Sequence, residues 1–363
     1  MTNIMAILKI RGGDLDLVEY DFTSFHPGEH IYTDIPVVNA PIPQKGSFNV
    51  TVPARIHLSV LDMNRFSPGM PGGGGLGFAL RIYSNATVSC TSGNTVIDSP
   101  RILLIEHLVA AFKAVTGYNG GFIIRTQDHG KEHVGLGSTC TIASAVVAAM
   151  NEATGCPLTN DTIRRLIGHN YVEETNEPGM IAFGFETGVG AATSIYGGMN
   201  ILGDQLTHVY QHAFAEDKNV FIITPNIHAE DDNAGLEEFS LLMNRARTLD
   251  YRDRELKAYM IMMDMIPAIE KGDLKKMGDV MWEIEFRGSK RAEVQHHTFI
   301  IYQHMNALRQ AGLEFVAMSS VGPSICVVTE KTEQEMKPIL DSLGLEISVS
   351  TNVDNSGIRI NTE

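Results

Sequence analysis

The residues in this chain with chemical potential sit in glycine- and hydroxyl-rich turns. The first turn is His133-Val134-Gly135-Leu136-Gly137-Ser138-Thr139, running into the stretch TCTIASAVVAAMNEATG (139–155), which is small or apolar on nearly every face. Glycine lets a backbone approach an anion closely, and the free N–H groups at a helix start add partial positive charge. Ser138, Thr139 and Thr141 add hydroxyls suited to phosphate oxygens or a bound metal. A simple N-capped turn is the plain alternative, and no Walker-type GK[ST] is present. The second turn, Gly72-Gly73-Gly74-Gly75-Leu76-Gly77, holds five glycines in six residues. Such a run costs backbone entropy, so either Gly74 and Gly75 pass close to a ligand or the loop is floppy. The third is Thr187-Gly188-Val189-Gly190-Ala191-Ala192, ending in Gly197-Gly198, and the fourth is Ser319-Ser320-Val321-Gly322-Pro323-Ser324, between two apolar runs. Together these turns have the composition expected where backbone cradles a charged ligand.

Charged residues add to this. Arg55 and His57 alternate along the strand-like FNVTVPARIHLSVLDM and so point to one face. Arginine suits bidentate recognition of phosphate or carboxylate; the alternative is a solvent-facing pair. His133 beside the first turn could donate to phosphate or serve the structure. Arg287, Lys290 and Arg291 cluster in an otherwise acidic chain, which points to an anionic ligand or to a solvated helix end. His296-His297 and Asp128-His129 have no partner at helical spacing, so no metal ligand is assigned. Glu230-Asp231-Asp232 reads as a solvated connection.

The elements that must position these residues follow from composition and pattern. The chain has 363 residues, 44% apolar and 20% charged, which fits two globular domains at about 150 residues each and excludes disorder. Twenty-eight Lys and Arg against 43 Asp and Glu give a formal net charge of −15, and such a surface repels phosphate backbones, so nucleic acid is excluded as a general partner. Cys90, Cys140, Cys156 and Cys326 lack paired spacing and read as buried thiols. No apolar run approaches the ~18 residues of a membrane span, and Met1 to Ile10 carries only Lys9 and no leader pattern, so a soluble cytoplasmic protein is expected. Residues 1–47, broken by Pro27, Pro36, Pro41 and Pro43, read as an appended hairpin or lid. Strands are expected from Phe48 and over 120–127, helices over 101–116, 139–155, 161–175 and 236–285, and again over 292–312 and 333–343. Strands and helices interleave in both halves without a βαβ rhythm, which gives an α+β class with a boundary near residue 200.

Read in order, RIHLSVLDM, GGGGLGFAL, HVGLGSTCTIASAV, TGVGAATSIYGG and SSVGPS resemble the GHMP superfamily of galactokinase, homoserine, mevalonate and phosphomevalonate kinases, over roughly residues 48–330. The resemblance implies an N-terminal ribosomal-protein-like α+β domain over 48–200, a ferredoxin-like α+β domain over 201–363, and 1–47 as an extension that closes over a substrate or builds a dimer contact. Kinases of the superfamily place an Asp where the register here puts Gly190. Glycine cannot accept a proton or orient a nucleophile, a function worth roughly 10²–10⁴ in rate. Within the superfamily the chain is more similar to the β-ribofuranosylaminobenzene 5′-phosphate synthases and related C-nucleoside-forming enzymes, through Arg55 to Asn64, HVGLGS, the TGVG turn, Lys290 to Gln295 and Ser319 to Pro323.

That resemblance implies transfer of ribose 5-phosphate from phosphoribosyl pyrophosphate to a ring carbon of an aromatic or heteroaromatic carboxylate, with loss of pyrophosphate and CO2, by a homodimer using Mg²⁺. It makes Asp62, Arg55 and His57 the catalytic candidates, with Asp62 beside the cationic ribose or capping a turn. Substrate binding is expected from Gly74, Gly75, His133, Gly135, Leu136, Gly137, Ser138, Thr139, Thr187, Gly188, Val189, Lys290, Arg291, Ser319, Ser320 and Gly322. The rivals are an ATP-dependent small-molecule kinase using Glu186 or Asp204 as its carboxylate, and a nucleotide or phosphate sensor without turnover.

Overall fold

The computed structural model describes residues 23–130, 136–225, 236–297 and 299–362. Strand β1 (Phe48–Val60) pairs antiparallel with β2 (Gly75–Thr91), and β2 pairs in turn with β4 (Gly121–Gln127), to which β3 (Val96–Asp98) adds in parallel. Helices α1 (Ile102–Thr116), α2 (Ser138–Ala153) and α3 (Asn160–His169) bury their apolar faces with this sheet in one core that includes Val50, Val52, Phe112, Phe122 and Val146. A short hairpin of β5 (Val172–Glu174) and β6 (Ile181–Phe183) precedes α4 (Val189–Tyr196), after which β7 (Met199–Leu202) pairs with the start of β2 and β8 (His208–His212) extends it.

The chain then builds a second sheet from β9 (Asn219–Ile223), β10 (Phe315–Met318), β11 (Ile325–Thr329) and β12 (Ile347–Asn352), in the order β10-β11-β9-β12 and antiparallel throughout. Between β9 and β10 lie α5 (Leu236–Met260), a π turn (Ile261–Met265), α6 (Ile266–Glu270), α7 (Leu274–Glu285), α8 (Gly288–His296) and α9 (Ile300–Gln310); α10 (Glu333–Leu343) joins β11 to β12. This is the ferredoxin-like βαββαβ order expected for the C-terminal part. The last strand, β13 (Arg359–Thr362), returns to pair with β1. The first sheet therefore draws two strands, β8 and β13, from beyond residue 200, and no single cut there separates the two sheets.

The structure departs locally from the sequence pattern: α4 forms where only a glycine-rich turn is expected. The helix expected over 161–175 stops at His169, where the Asn170 side chain turns to the backbone of Tyr32, accepting its N–H at 2.9 Å and donating to its C=O at 3.1 Å. Of the segment 1–47 expected as a hairpin or lid, residues 1–22, with the ILKIR and LDLVEYDF pieces, lie outside the described residues, and residues 23–47 do not line the cavity described below. They run as a strap along α2 and α3, with Val38, Ile42 and Gln44 donating N–H groups to the carbonyls of Pro157, Thr154 and Ala153. The prolines between them have no N–H to give, so the strap docks through the residues that do. Among the described residues no helix is long and apolar enough to cross a membrane.

Candidate active site

A register shift between Pro53 and Ala54 decides where the site forms. Before it, Val50 and Val52 pack into the helix-side core; after it, Ala54, Ile56 and Leu58 pack into the core shared with the second sheet. A bulge re-aims the side chains that follow it. Arg55, His57 and Ser59 consequently line a cavity of about 400 Å³, with the starts of α2 and α4 on one side, α5 and α8 on the other, and the turn after β10.

The cationic end of the cavity is built on the start of α2. Gly137 opens this helix with φ +73°, and a Cβ there would lie 2.7 Å from Arg55 Cζ, so the guanidinium rests on the glycine itself. Arg101, which no sequence pattern singled out, donates to Ser138 Oγ at 3.0 Å, while Ser138 donates to Asp128. A guanidinium on Gly137, a second one on Ser138 and the N–H groups of a helix start thus lie together at the beginning of α2, an arrangement that favours an anion. Leu136 is buried and its carbonyl accepts the Arg55 N–H, and Thr139 lies in the first turn of α2; His133 and Gly135 fall outside the described residues.

Next to this end lies the start of α4. Thr187 Oγ1 is 3.3 Å from His57 Nε2. Burial, then Arg55, then Lys290 hold the His57 imidazole well below its usual value, so it is neutral near pH 7. Gly188 N–H donates to the Glu186 carboxylate, and burial raises the pKa of that carboxyl against this bond and the Arg55 charge. Gly190 lines the cavity in the first turn of α4, where an added Cβ would sit 2.5 Å from Cys140 Sγ. Helices α2 and α4 meet here too closely for any side chain.

The second glycine run is neither floppy nor a ligand cradle. A Cβ on Gly74 would meet the Leu202 carbonyl at 2.3 Å, and one on Gly77 would meet Val189 at 2.8 Å. Neither Gly74 nor Gly75 lines the cavity. Bare backbone at Gly75 and Gly77 lets Val189 settle on the sheet, which brings Thr187 and Gly188 up to His57.

Lys290 and Asp62 do different work from that expected. Lys290 borders the cavity, but its three N–H directions are taken: its ammonium reaches the carbonyls of Met318 (3.2 Å) and Ser320 and pairs with Glu293 Oε2 at 3.0 Å. It therefore fastens the turn after β10, where Ser320 has φ +51° and donates its N–H to the His57 carbonyl at 2.8 Å. Ser319 is buried behind Ser320, Gly322 turns the loop at φ +89°, and Arg291 is exposed on the outer side of α8. Asp62 does not line the cavity. It closes its own turn by accepting from Asn64 and pairs with Arg254 of α5 at 3.2 Å. With Asp250 accepting the Met63 N–H at 2.9 Å, this docks residues 62–66 on α5. The result is an apolar wall of Met63, Phe66, Phe185, Met243 and Ala246 opposite the arginine end. Sequence reasoning missed this wall because its parts are far apart in the chain.

A consequence can be measured. Glu293→Gln leaves the Lys290 ammonium on its two carbonyls, so affinity for inorganic pyrophosphate should change less than threefold. Lys290→Met, which breaks a buried pair, should cost roughly 3–5 kcal/mol of stability. Tenfold tighter pyrophosphate binding by Glu293→Gln would instead make Lys290 an anion ligand.

Residues 104–198 match the family model described as GHMP kinases N terminal domain. The chain is 25% identical over 330 residues to a β-ribofuranosylphenol 5′-phosphate synthase of Archaeoglobus fulgidus, covering 85% of this chain and 97% of that one. It is 24% identical over 300 residues to the protein of that name from Methanothermobacter thermautotrophicus, covering 78% and 88%. Its fold matches mevalonate diphosphate decarboxylase from Staphylococcus aureus with a TM-score of 0.62 at 16% identity, over 87% of this chain and 98% of that one. Homoserine kinase from Cytophaga hutchinsonii matches with a TM-score of 0.59 at 15% identity, over 88% and 98%.

Proposed function

We propose that this chain, which carries the GHMP kinases N-terminal domain over residues 104–198, is a C-glycoside synthase that joins ribose 5-phosphate from phosphoribosyl pyrophosphate to a ring carbon of an aromatic carboxylate. In the proposed step the bond from the anomeric carbon to pyrophosphate oxygen breaks and its electron pair leaves with pyrophosphate. The ring carbon bearing the carboxylate supplies a π pair to the anomeric carbon. The carbon–carboxylate bond then breaks, and its pair restores aromaticity as CO2 departs. No net proton is taken up.

Two things support this reading. The synthases named above are matched over nearly their whole length. The structural observation that carries it is Gly190, packed 2.5 Å (as a notional Cβ) from Cys140 Sγ, where a kinase of this superfamily needs a carboxylate. The cavity also divides as the reaction requires. Arg55, lying on the start of α2, suits the pyrophosphate, a fixed donor for the charge that develops on it, with Arg101 behind it on Ser138. The apolar wall suits a flat ring and excludes water that would hydrolyse the donor. Neutral His57, held by Thr187 and the Ser320 turn, serves as an orienting hydrogen-bond partner rather than a cation.

Bound together with the donor, magnesium would supply charge neutralisation for the leaving pyrophosphate, while Arg55 and the start of α2 would hold that anion. Among the described residues no three His, Cys, Asp or Glu side chains are grouped to hold a metal ion by themselves. The rival kinase reading draws on one observation, that Glu186 lines the same cavity; its other candidate, Asp204, lies elsewhere, bound to Arg65 and the Gly73 N–H.

The test is incubation with phosphoribosyl pyrophosphate, Mg²⁺ and 4-hydroxybenzoate, 4-aminobenzoate or an aminopyrazole carboxylate. Pyrophosphate and CO2 should appear in equal amounts with a product of the C-glycoside's mass. ADP formation from ATP, with no pyrophosphate from any acceptor, would overturn the proposal.

A further inference from the structure

We propose that Glu186 is the carboxylate that faces the anomeric carbon as it becomes cationic, the role that sequence alone gave to Asp62. The inference rests on the ribosyl-transfer reading above and assigns a catalytic residue within it. As the bond to pyrophosphate lengthens, positive charge spreads over the anomeric carbon and the ring oxygen. A fixed carboxylate close by stabilises that charge most where water is excluded and the dielectric is low.

Elimination among the carboxylates leads to Glu186. Asp62 is outside the cavity and paired with Arg254. Asp128 is held by Ser138 and the His129 N–H below the α2 start. Asp250 is buried against Lys257 and the N–H groups of Met63 and Ser289. Among the described residues two carboxylates border the cavity, Glu186 and Glu293, and Glu293 is paired with Lys290 at 3.0 Å. Glu186 is 8% exposed, with one oxygen accepting the Gly188 N–H at the start of α4, so its direction is fixed. It borders the same cavity as Arg55 and as Met63, Phe66 and Phe185 of the apolar wall, and it is near enough to Arg55 for that charge to act on its carboxyl. A donor whose pyrophosphate sits at Arg55 and whose acceptor ring lies on the wall would present its anomeric carbon to this carboxylate. Glu186 forms no bond and moves no proton in the step; it lowers the energy of the charge that appears in front of it.

The experiment separates this assignment from the reaction it serves. One probe is a hydroxypyrrolidine 5-phosphate, cationic at its ring nitrogen, offered with Mg²⁺ and pyrophosphate. The other is a carbocyclic analogue of phosphoribosyl pyrophosphate, neutral at that position. Wild type should bind both. Glu186→Gln, which keeps an acceptor for Gly188, should weaken the cationic probe at least 30-fold and the neutral one less than threefold, and Glu186→Asp should recover part of the loss. Equal weakening of both probes, or weakening of neither, would overturn the assignment and leave the ribosyl reading standing. Wild type binding neither probe would overturn both. Thermal melting of each variant shows that it is folded before its affinities are compared.

Discussion

Gly190→Asp should lower the melting temperature by about 10 °C and create no kinase. Gly190 has ordinary helical backbone, so the residue is not there for its freedom of φ; it is there because α2 is too near. A Cβ would lie 2.5 Å from Cys140 Sγ and 3.0 Å from Cys140 Cβ. Forcing atoms into such a contact costs roughly 1–3 kcal/mol, and burying the added carboxylate, even with Arg55 Nε 3.9 Å from the notional Cβ as a donor, adds a further ~1–3 kcal/mol. A melting-temperature loss of about 2–4 °C per kcal/mol then gives the stated drop. Differential scanning calorimetry and an ADP assay check both parts, and Cys140→Ala alongside Gly190→Ala should regain much of the stability. A stable Gly190→Asp protein that makes ADP from ATP would show that the missing carboxylate is all that separates this chain from a kinase.

Arg55→Met should weaken inorganic pyrophosphate binding at least 100-fold, about 2.7 kcal/mol. Arg55→Lys should recover little, because a point charge cannot reproduce the flat guanidinium lying on Gly137. The same variant has a second signature. Arg55 is one of two cations that hold His57 down, after burial itself. Without it the His57 pKa rises toward 6.5, which a proton NMR titration of the imidazole reads directly. The sign for stability follows. A histidine kept neutral in the folded state takes up its proton only on unfolding, so wild type loses stability as pH falls below about 6.5. Arg55→Met should show a shallower loss, measured as urea midpoints at pH 7.5 and 5.5. Unchanged pyrophosphate affinity with an unchanged His57 titration would remove Arg55 from the site.

Much of this site was legible in the chain, because some of its rules are local. Alternation along a strand places Arg55 and His57 on one face whatever the rest of the protein does. Gly137 and the hydroxyls after it announce a helix start, and the structure puts α2 there; the turn from Thr187 reads only as a glycine-rich turn, and folding makes Gly188 the opening of α4. Other readings failed because they depend on who else arrives. Lys290 has the charge of an anion ligand, yet Met318 and Ser320, 28 and 30 residues on, consume its donors. Asp62 follows Arg55 and His57 in sequence, but α5 claims it through Arg254, 192 residues away. The glycine run from Gly72 looked like a cradle; it is the bed on which β7 and α4 lie.

By itself, then, the sequence determined the interleaved α+β class, the helix start after Gly137, and the shared face of Arg55 and His57. Those are properties of neighbours in the chain, governed by period and backbone freedom. Only the tertiary structure decided that the shared face looks into a cavity, that Glu186 borders it while Asp62 does not, and that Lys290 is a fastener. A bulge turns a whole strand over, and whether a charge is free or already satisfied depends on groups that folding brings from hundreds of residues away.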